Sequence, residues 1–149
     1  MPRMEDYEYL DVKSFHIKFG QLASPEVRHL TRRKLLERAS FMQEELDEFK
    51  LALETQDLPL LADALIDLVY VAKGTAVMMG LPWAALWDDV QWANMAKVHG
   101  TTHRGNLVDV RKPPGWEGPK TLQILTKAGY DPSAATQPDL FLDDEEYRA

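Results

Sequence analysis

The feature that most constrains this chain is a long apolar segment that contains charged residues. Residues 58–80 are apolar enough to raise the question of a membrane span. They nevertheless include Asp63, Asp67 and Lys73, and each charge would cost roughly 2.5–3.5 kcal/mol at the centre of a bilayer. Asp63 and Asp67 lie one turn apart on one face, where unpaired buried carboxylates are expensive. The segment therefore predicts a central buried helix whose aspartates need a compensating positive charge.

The preceding helix supplies more acid rather than base. Glu44, Glu45 and Glu48 fall within an arc of about 100° on one helix. Glu45 also stands one turn from an aromatic residue on either side, Phe41 and Phe49, so it borders the apolar stripe. A divalent cation held between the two helices would account for all these carboxylates. Ligands that are all oxygen favour Mg²⁺, with Mn²⁺ also suitable, over zinc.

Both acidic groups also have ordinary structural interpretations. A run of glutamates on a helix is commonly a solvated face. The buried aspartates could instead be paired with arginines. The candidates are Arg32, Arg33 and Arg38. We favour the metal, because no basic residue is interleaved with Asp63 and Asp67 and the preceding helix adds further acid at Glu45 and Glu48.

Helical periodicity and helix-ending residues divide the chain into helices with short connections. The predicted all-α fold is a four- to five-helix bundle with an irregular C-terminal tail. Helices are predicted over residues 6–19, from Ser24-Pro25 to 55, 59–79, 82–98 and 121–128, with a short extended piece at 106–110 and an irregular segment at 111–119. Residues 1–130 are predicted to form one domain, and residues 131–149 an acidic tail.

The last long helix presents polar groups from an apolar face. Trp87, Val90, Asn94 and Lys97 share that face. Lysine suits phosphate as a point charge, and asparagine can bond a phosphate oxygen or orient a carboxylate. The alternative is that a lysine near a helix C-terminus only stabilises the helix dipole.

Composition excludes several classes of protein. The formal net charge of -7 argues against binding to a nucleic acid polymer, which needs a basic surface. The chain has no cysteine, so disulfides and thiolate metal sites are excluded. The acidic N-terminus does not resemble a signal peptide, and we expect a soluble, cytoplasmic protein without membrane contact. No GxxxxGK[ST] or GxGxxG phosphate loop is present.

These motifs together resemble the MazG-like all-α nucleoside triphosphate pyrophosphohydrolases, the superfamily that includes phosphoribosyl-ATP pyrophosphohydrolase. Glu45-Leu46-Asp47-Glu48 resembles the ExxE motif of that superfamily, and Asp67 resembles the aspartate of its ExxD motif. Ala64 stands where the superfamily has glutamate, and Asp63 is the candidate substitute. The resemblance covers about residues 12–126 and includes segments around His16, residues 63–76, the Asn94/Lys97 pair and the KPPGW segment at 112–116.

The resemblance implies hydrolysis of a nucleoside triphosphate to the monophosphate and pyrophosphate, with dUTP, dCTP or dGTP as the leading substrates. It places Mg²⁺, or Mn²⁺, on Glu45, Glu48, Asp63 and Asp67, with Glu44 or Glu45 as the general base. The phosphates are assigned to Lys97, Arg38 and Lys34, and the base and sugar to His16, Phe19, Gln21 and Asn94.

The resemblance also implies a homo-oligomer, either a dimer or a tetramer. Two other functions remain open from the sequence. One is phosphoribosyl-ATP pyrophosphohydrolase itself, although the long first segment and the KPPGW segment are not typical of that shorter family. The other is a non-catalytic helical oligomer whose acids bind a structural metal or a basic partner.

Overall fold

The structure, a computed structural model, describes residues 5–100 and 109–133. Helices dominate this part of the chain, and the all-α prediction is confirmed. The helices are α1 (Tyr7–Lys18), α2 (Arg32–Thr55), α3 (Leu58–Met78), α4 (Trp83–Met95) and α5 (Thr121–Lys127), and the strands are β1 (Val98–His99) and β2 (Val110–Arg111).

Helices α2 and α3 form a hairpin at the centre of the fold. Gln56 takes a left-handed conformation with φ of 52° and ends α2. Asp57 then caps α3 by accepting a hydrogen bond from the backbone N–H of Leu60 at 3.1 Å. Pro59 occupies the first turn of α3, where its missing N–H would have no partner anyway. So short a connection makes the helices antiparallel, and the two acidic segments therefore face each other.

Helix α2 begins later than the sequence predicts. Ser24-Pro25 does not start it, because the backbone N–H of Ser24 donates to the carbonyl of Val77 and that of Arg28 to the carbonyl of Met79. The segment before α2 thus runs along the C-terminal end of α3 and satisfies its free carbonyls. The true N-cap is Thr31, whose hydroxyl accepts from the N–H of Lys34 at 3.1 Å.

Helix α4 ends before the predicted position. Its last residue is Met95, whereas the prediction continued the helix to Val98. Val98 instead belongs to β1, which pairs antiparallel with β2 so that Val98 faces Arg111 and His99 faces Val110. Of the extended piece predicted at 106–110, Val110 is in β2, and residues 106–108 lie outside the described residues.

Helix α1 packs across α3 and is fixed at its N-terminus. Asp6 caps α1 by accepting from the N–H of Tyr9 at 2.8 Å, and it also pairs with Lys73 of α3 at 2.9 Å. Glu8 approaches the same ammonium group to 2.6 Å. Gly20, with φ of 66°, follows the C-terminal end of α1 as predicted.

The buried core of the described residues is small. Its apolar members are Val12, Leu30, Ala52, Ala64, Ala76, Val77, Met78 and Ala93. Helix α3, which the sequence predicts to be a central buried helix, is only partly buried in the single chain, since Leu65 is 50% exposed and Ile66 is 66% exposed. The reason is that α1 and α2 pack against only part of the α3 surface.

Within residues 5–100 and 109–133, none of the helices combines the length and the apolar character that crossing a bilayer requires. The prediction for the acidic tail concerns residues 131–149, and residues 134–149 lie outside the described part of the chain.

Candidate metal centre

Three carboxylates from the central hairpin converge. Glu45 and Glu48 come from α2 and Asp67 from α3, and one oxygen from each lies within 4.8 Å of the others. Glu45 and Glu48 are three residues apart, so the helix places both on one face. The antiparallel hairpin then brings Asp67 opposite them. The sequence predicted this convergence of ExxE with the aspartate of the next helix.

The environment of Glu45 is short of positive charge. Its Oε2 is buried and has no hydrogen-bond partner among the described residues. Burial raises the pKa of the Glu45 carboxyl, and the negative charges of four neighbours raise that pKa further. Those neighbours are Glu48, Asp67, Glu44 and Asp63. A buried carboxylate oxygen surrounded by other carboxylates is an arrangement that a cation would stabilise.

The donor set fits a hard divalent cation. The three converging groups offer carboxylate oxygen alone, which suits Mg²⁺ or Mn²⁺. Two oxygens on one Mg²⁺ at about 2.1 Å are at most about 4.2 Å apart, so a small side-chain movement would close the observed spacing. Asp63 and Glu44 are exposed and lie outside this tight group, although their charges act on Glu45.

The structure directs Arg38 toward α3. Its Nε donates to the hydroxyl of Thr75 at 3.1 Å and its Nη2 donates to the carbonyl of Val71 at 2.9 Å. Arg38 precedes Glu45 by seven residues, which places it on the same face about 10.5 Å away along the helix. Lys34, one turn earlier, is paired with Glu37 at 2.7 Å.

His16 is held next to Arg38. It is only 2% exposed, and its Nδ1 lies 2.8 Å from the carbonyl of Leu22, which fixes the ring orientation. Burial lowers the pKa of His16; the hydrogen bond to Leu22 opposes this change, and the charge of Arg38 adds to it. The other residues predicted for the base and sugar, Phe19 and Gln21, are exposed just beyond α1.

Gly74 is a site residue that sequence reasoning missed. A Cβ at this position would lie 2.7 Å from Nη2 of Arg38 and 2.9 Å from Nε2 of His16. Glycine at this point of α3 therefore permits both side chains to approach the helix. The signal in the sequence was an isolated glycine inside a strong helical pattern, which commonly marks close packing.

Asn94 lies in the last turn of α4, whereas Lys97, predicted to share a helix face with it, lies just beyond the end of the helix. The Lys97 ammonium donates to Oδ1 of Asn94 at 2.9 Å. It also lies 5.6 Å from the ring centre of Trp116, in the irregular segment after β2. None of the charges that shift the pKa of Glu45 comes from these residues.

Comparison with known proteins assigns the chain to a family. The family model described as phosphoribosyl-ATP pyrophosphohydrolase matches residues 12–94, which is more than half of the chain. This range includes Glu45 and the four carboxylates whose charges act on it. The chain belongs to this family. It is therefore a member of the MazG-like all-α nucleoside triphosphate pyrophosphohydrolases, which confirms the resemblance seen in the sequence.

Membership defines the class of reaction. The protein is a pyrophosphohydrolase, a hydrolase that acts on a phosphoanhydride bond of a nucleotide. Enzymes of this family depend on a metal, and the Glu45–Glu48–Asp67 cluster is a group that could bind one. A search of curated proteins finds no match to this chain.

Proposed function

We propose that this pyrophosphohydrolase uses Mg²⁺ to cleave a nucleoside triphosphate between the α- and β-phosphates, releasing the monophosphate and pyrophosphate. The observation that carries the proposal is the convergence of Glu45, Glu48 and Asp67, together with the buried Oε2 of Glu45, which has no hydrogen-bond partner among the described residues. Mn²⁺ is the expected substitute. The candidate substrates are dUTP, dCTP and dGTP.

The residues of the metal centre have different proposed roles. Glu45, Glu48 and Asp67 would hold the metal, and Asp63 would support them from the next turn of α3. The bound metal supplies charge for the phosphate oxygens and lowers the pKa of a water molecule. Glu44 or Glu45 accepts the proton of the attacking water. Glu44 is exposed beside the cluster and is therefore accessible to that water.

Three cations are proposed to bind the phosphates. Arg38 shares a helix face with Glu45, and Lys34 lies one turn beyond it. Lys97 would contribute from the end of α4. His16, Phe19, Gln21 and Asn94 are the residues proposed for the base and sugar. Support for His16 comes from its fixed orientation next to Arg38.

A second candidate substrate is phosphoribosyl-ATP. The observation that favours it is the match of residues 12–94 to the phosphoribosyl-ATP pyrophosphohydrolase family. The chemistry is the same, since a pyrophosphate is released from a triphosphate chain. Phosphoribosyl-ATP therefore belongs in any substrate panel.

We also propose that the protein works as a homo-oligomer. Apolar side chains are exposed on α3 and on α4, where Trp92 is 80% exposed and Met95 is 73% exposed. Large exposed apolar surfaces mark sites of protein association. Light scattering coupled to size exclusion is expected to give the mass of a dimer or a tetramer. A monomer at micromolar concentration would contradict this proposal.

The test of the function is a nucleotide panel. The purified protein is incubated with Mg²⁺ and each of the common ribo- and deoxynucleoside triphosphates or phosphoribosyl-ATP, and pyrophosphate is measured. We expect release from at least one nucleotide, with a matching amount of monophosphate and no release in EDTA. No release from any nucleotide would favour a non-catalytic metal-binding oligomer, and equal release in EDTA would contradict the metal.

A further inference from the structure

Two lysines flank one end of the ribbon formed by β1 and β2. Val98 pairs with Arg111, and His99 pairs with Val110. Extending this register by one residue aligns Lys97, which precedes β1, with Lys112, which follows β2. Residues directly opposite in an antiparallel pair have Cβ atoms about 4.5–5.5 Å apart, and like charges in that position are destabilising. One compensating contact is the hydrogen bond from the Lys97 ammonium to Oδ1 of Asn94 at 2.9 Å, which leaves the positive charge of both lysines in place.

Both lysines share one aromatic ring. The ammonium of Lys97 lies 5.6 Å from the ring centre of Trp116, and that of Lys112 lies 4.8 Å from it. Trp116 is itself fixed, because its Nε1 donates to the carbonyl of Ala93 at 2.8 Å. The ring attracts each cation weakly, by about 0.5–1 kcal/mol at an exposed site, and carries no net charge. The local charge of the two lysines is thus not neutralised by the ring.

Nearby carboxylates are already engaged elsewhere. Glu117 pairs with the ammonium of Lys120 at 3.5 Å, and Asp89 accepts a hydrogen bond from the backbone N–H of Lys120. Among the described residues, no carboxylate forms an ion pair with Lys97 or Lys112. In a protein whose formal charge is -7, two cations at one aromatic ring make this part of the surface locally positive.

A cleft next to the lysines offers room for the rest of a ligand. It lies between α4 and the segment after β2, with a volume of about 340 Å³, at the lower end of the range for small-molecule sites. Trp92, Ala96 and Pro114 are among its walls. The walls also carry the carboxylates Asp89 and Glu117 together with Lys120. Trp116, which both lysines contact, lines the same cleft. The apolar part of the cleft suits a ring system, and the two lysines suit a phosphate chain.

We infer that Lys97 and Lys112, positioned by Trp116, bind the phosphate chain of a nucleoside oligophosphate. This inference rests on the proposed function, because it assigns the same substrate to both groups of residues. It adds Lys112 and Trp116 of the KPPGW segment to the site. Lys112 contacts the phosphates, whereas Trp116 is a positioning residue that holds the two ammonium groups together.

The experiment measures binding without catalysis. Inorganic tripolyphosphate, a nucleotide with a methylene group between the α- and β-phosphates, and a plain nucleoside are titrated calorimetrically in EDTA, so that the acidic cluster carries no metal. Tripolyphosphate and the nucleotide are expected to bind, more weakly as salt is raised, and the nucleoside is not. Nucleoside binding as tight as nucleotide binding would overturn the inference.

Variants assign the binding to the two lysines. Lys112→Gln and Lys97→Gln are each expected to weaken binding about tenfold, because a hydrogen bond to a charged group is lost. Lys112→Arg is expected to retain binding of tripolyphosphate and of the nucleotide. Lys127→Gln in α5 makes the same change in net charge and is the matched control, with binding unchanged. Equal losses in Lys112→Gln and Lys127→Gln, or no loss in Lys112→Gln, would overturn the inference.

Turnover separates this inference from the proposed function. In Lys112→Gln the KM for the substrate is expected to rise about tenfold with little change in kcat, because uniform binding is lost. An unchanged KM would overturn the role of Lys112 and leave the pyrophosphohydrolase activity standing. Absence of turnover in every variant and in the native chain would instead contradict the proposed function, whatever the binding experiment shows.

Discussion

Replacing Glu48 with glutamine is expected to have opposite effects on stability with and without metal. Glu48 has carboxylate neighbours Glu45 and Asp67, whose oxygens lie within 4.8 Å of its own. Two unit charges at that distance repel by about 0.9 kcal/mol even at the dielectric constant of water. In EDTA, Glu48→Gln removes two such repulsions and is expected to stabilise the fold by about 1–2 kcal/mol at low ionic strength.

Bound Mg²⁺ is expected to make the native protein the more stable of the two. At a concentration one hundred times its dissociation constant, Mg²⁺ stabilises the native protein by about 2.7 kcal/mol. For a domain of this size that free energy corresponds to a rise in Tm of about 5–10 °C, against a rise of about 2–8 °C for Glu48→Gln in EDTA. With one ligand removed, the variant gains much less from Mg²⁺. The variant is therefore more stable than the native protein in EDTA and less stable in saturating Mg²⁺.

The assay is thermal unfolding followed by circular dichroism, in EDTA and over a series of Mg²⁺ concentrations. Glu54→Gln is the control, because it removes one exposed carboxylate of the same helix at a position outside the cluster. It is expected to respond to Mg²⁺ as the native protein does. The reasoning is refuted if Glu48→Gln lowers the Tm in EDTA, or if its rise with Mg²⁺ equals that of the native protein.

Three further changes test other parts of the structure. Gly74→Ala is expected to cost about 1–3 kcal/mol in urea unfolding, because its Cβ meets His16 and Arg38; an unchanged midpoint would contradict that packing. Asp63→Asn is expected to lower kcat less than Asp67→Asn does, since Asp63 lies outside the Glu45–Glu48–Asp67 cluster. Equal losses of kcat in the two variants, measured in steady-state assays, would show that Asp63 is a full metal ligand. Burial lowers the pKa of Lys73, but the hydrogen bonds to Glu8 and Asp6 outweigh burial, and the net pKa is raised. The native protein should therefore lose stability as the pH rises through the raised pKa of Lys73. Lys73→Met should not show this alkaline loss in pH-dependent unfolding.

Sequence patterns predicted the parts of the site that depend on local geometry. The spacing of Glu45 and Glu48 fixes them on one face of α2, and the short connection at residues 56–57 fixes the direction of α3. From these two features the position of Asp67 next to Glu45 and Glu48 can be predicted without any knowledge of tertiary contacts. The family match then confirmed the reaction class that the motifs implied.

The errors arose where distant contacts override local signals. Ser24-Pro25 has the sequence of a helix start, but the backbone groups around it bond to the end of α3. Val98 continues a helical pattern, yet pairing with Arg111 draws it into β1. The apolar character of α3 predicted a central buried helix, although Ile66 is exposed in the single chain. Periodicity could not indicate that Trp116 packs beside Lys97, because the two are joined by a segment without a regular pattern.

The most direct test of the metal centre is turnover by variants of its individual ligands. Glu48→Ala and Asp67→Ala are each expected to abolish Mg²⁺-dependent release of pyrophosphate while the helical circular dichroism signal stays intact. Glu54→Ala is expected to retain the native rate. Full activity in either ligand variant, measured with the substrate that the native enzyme prefers, would contradict a catalytic metal held by these carboxylates.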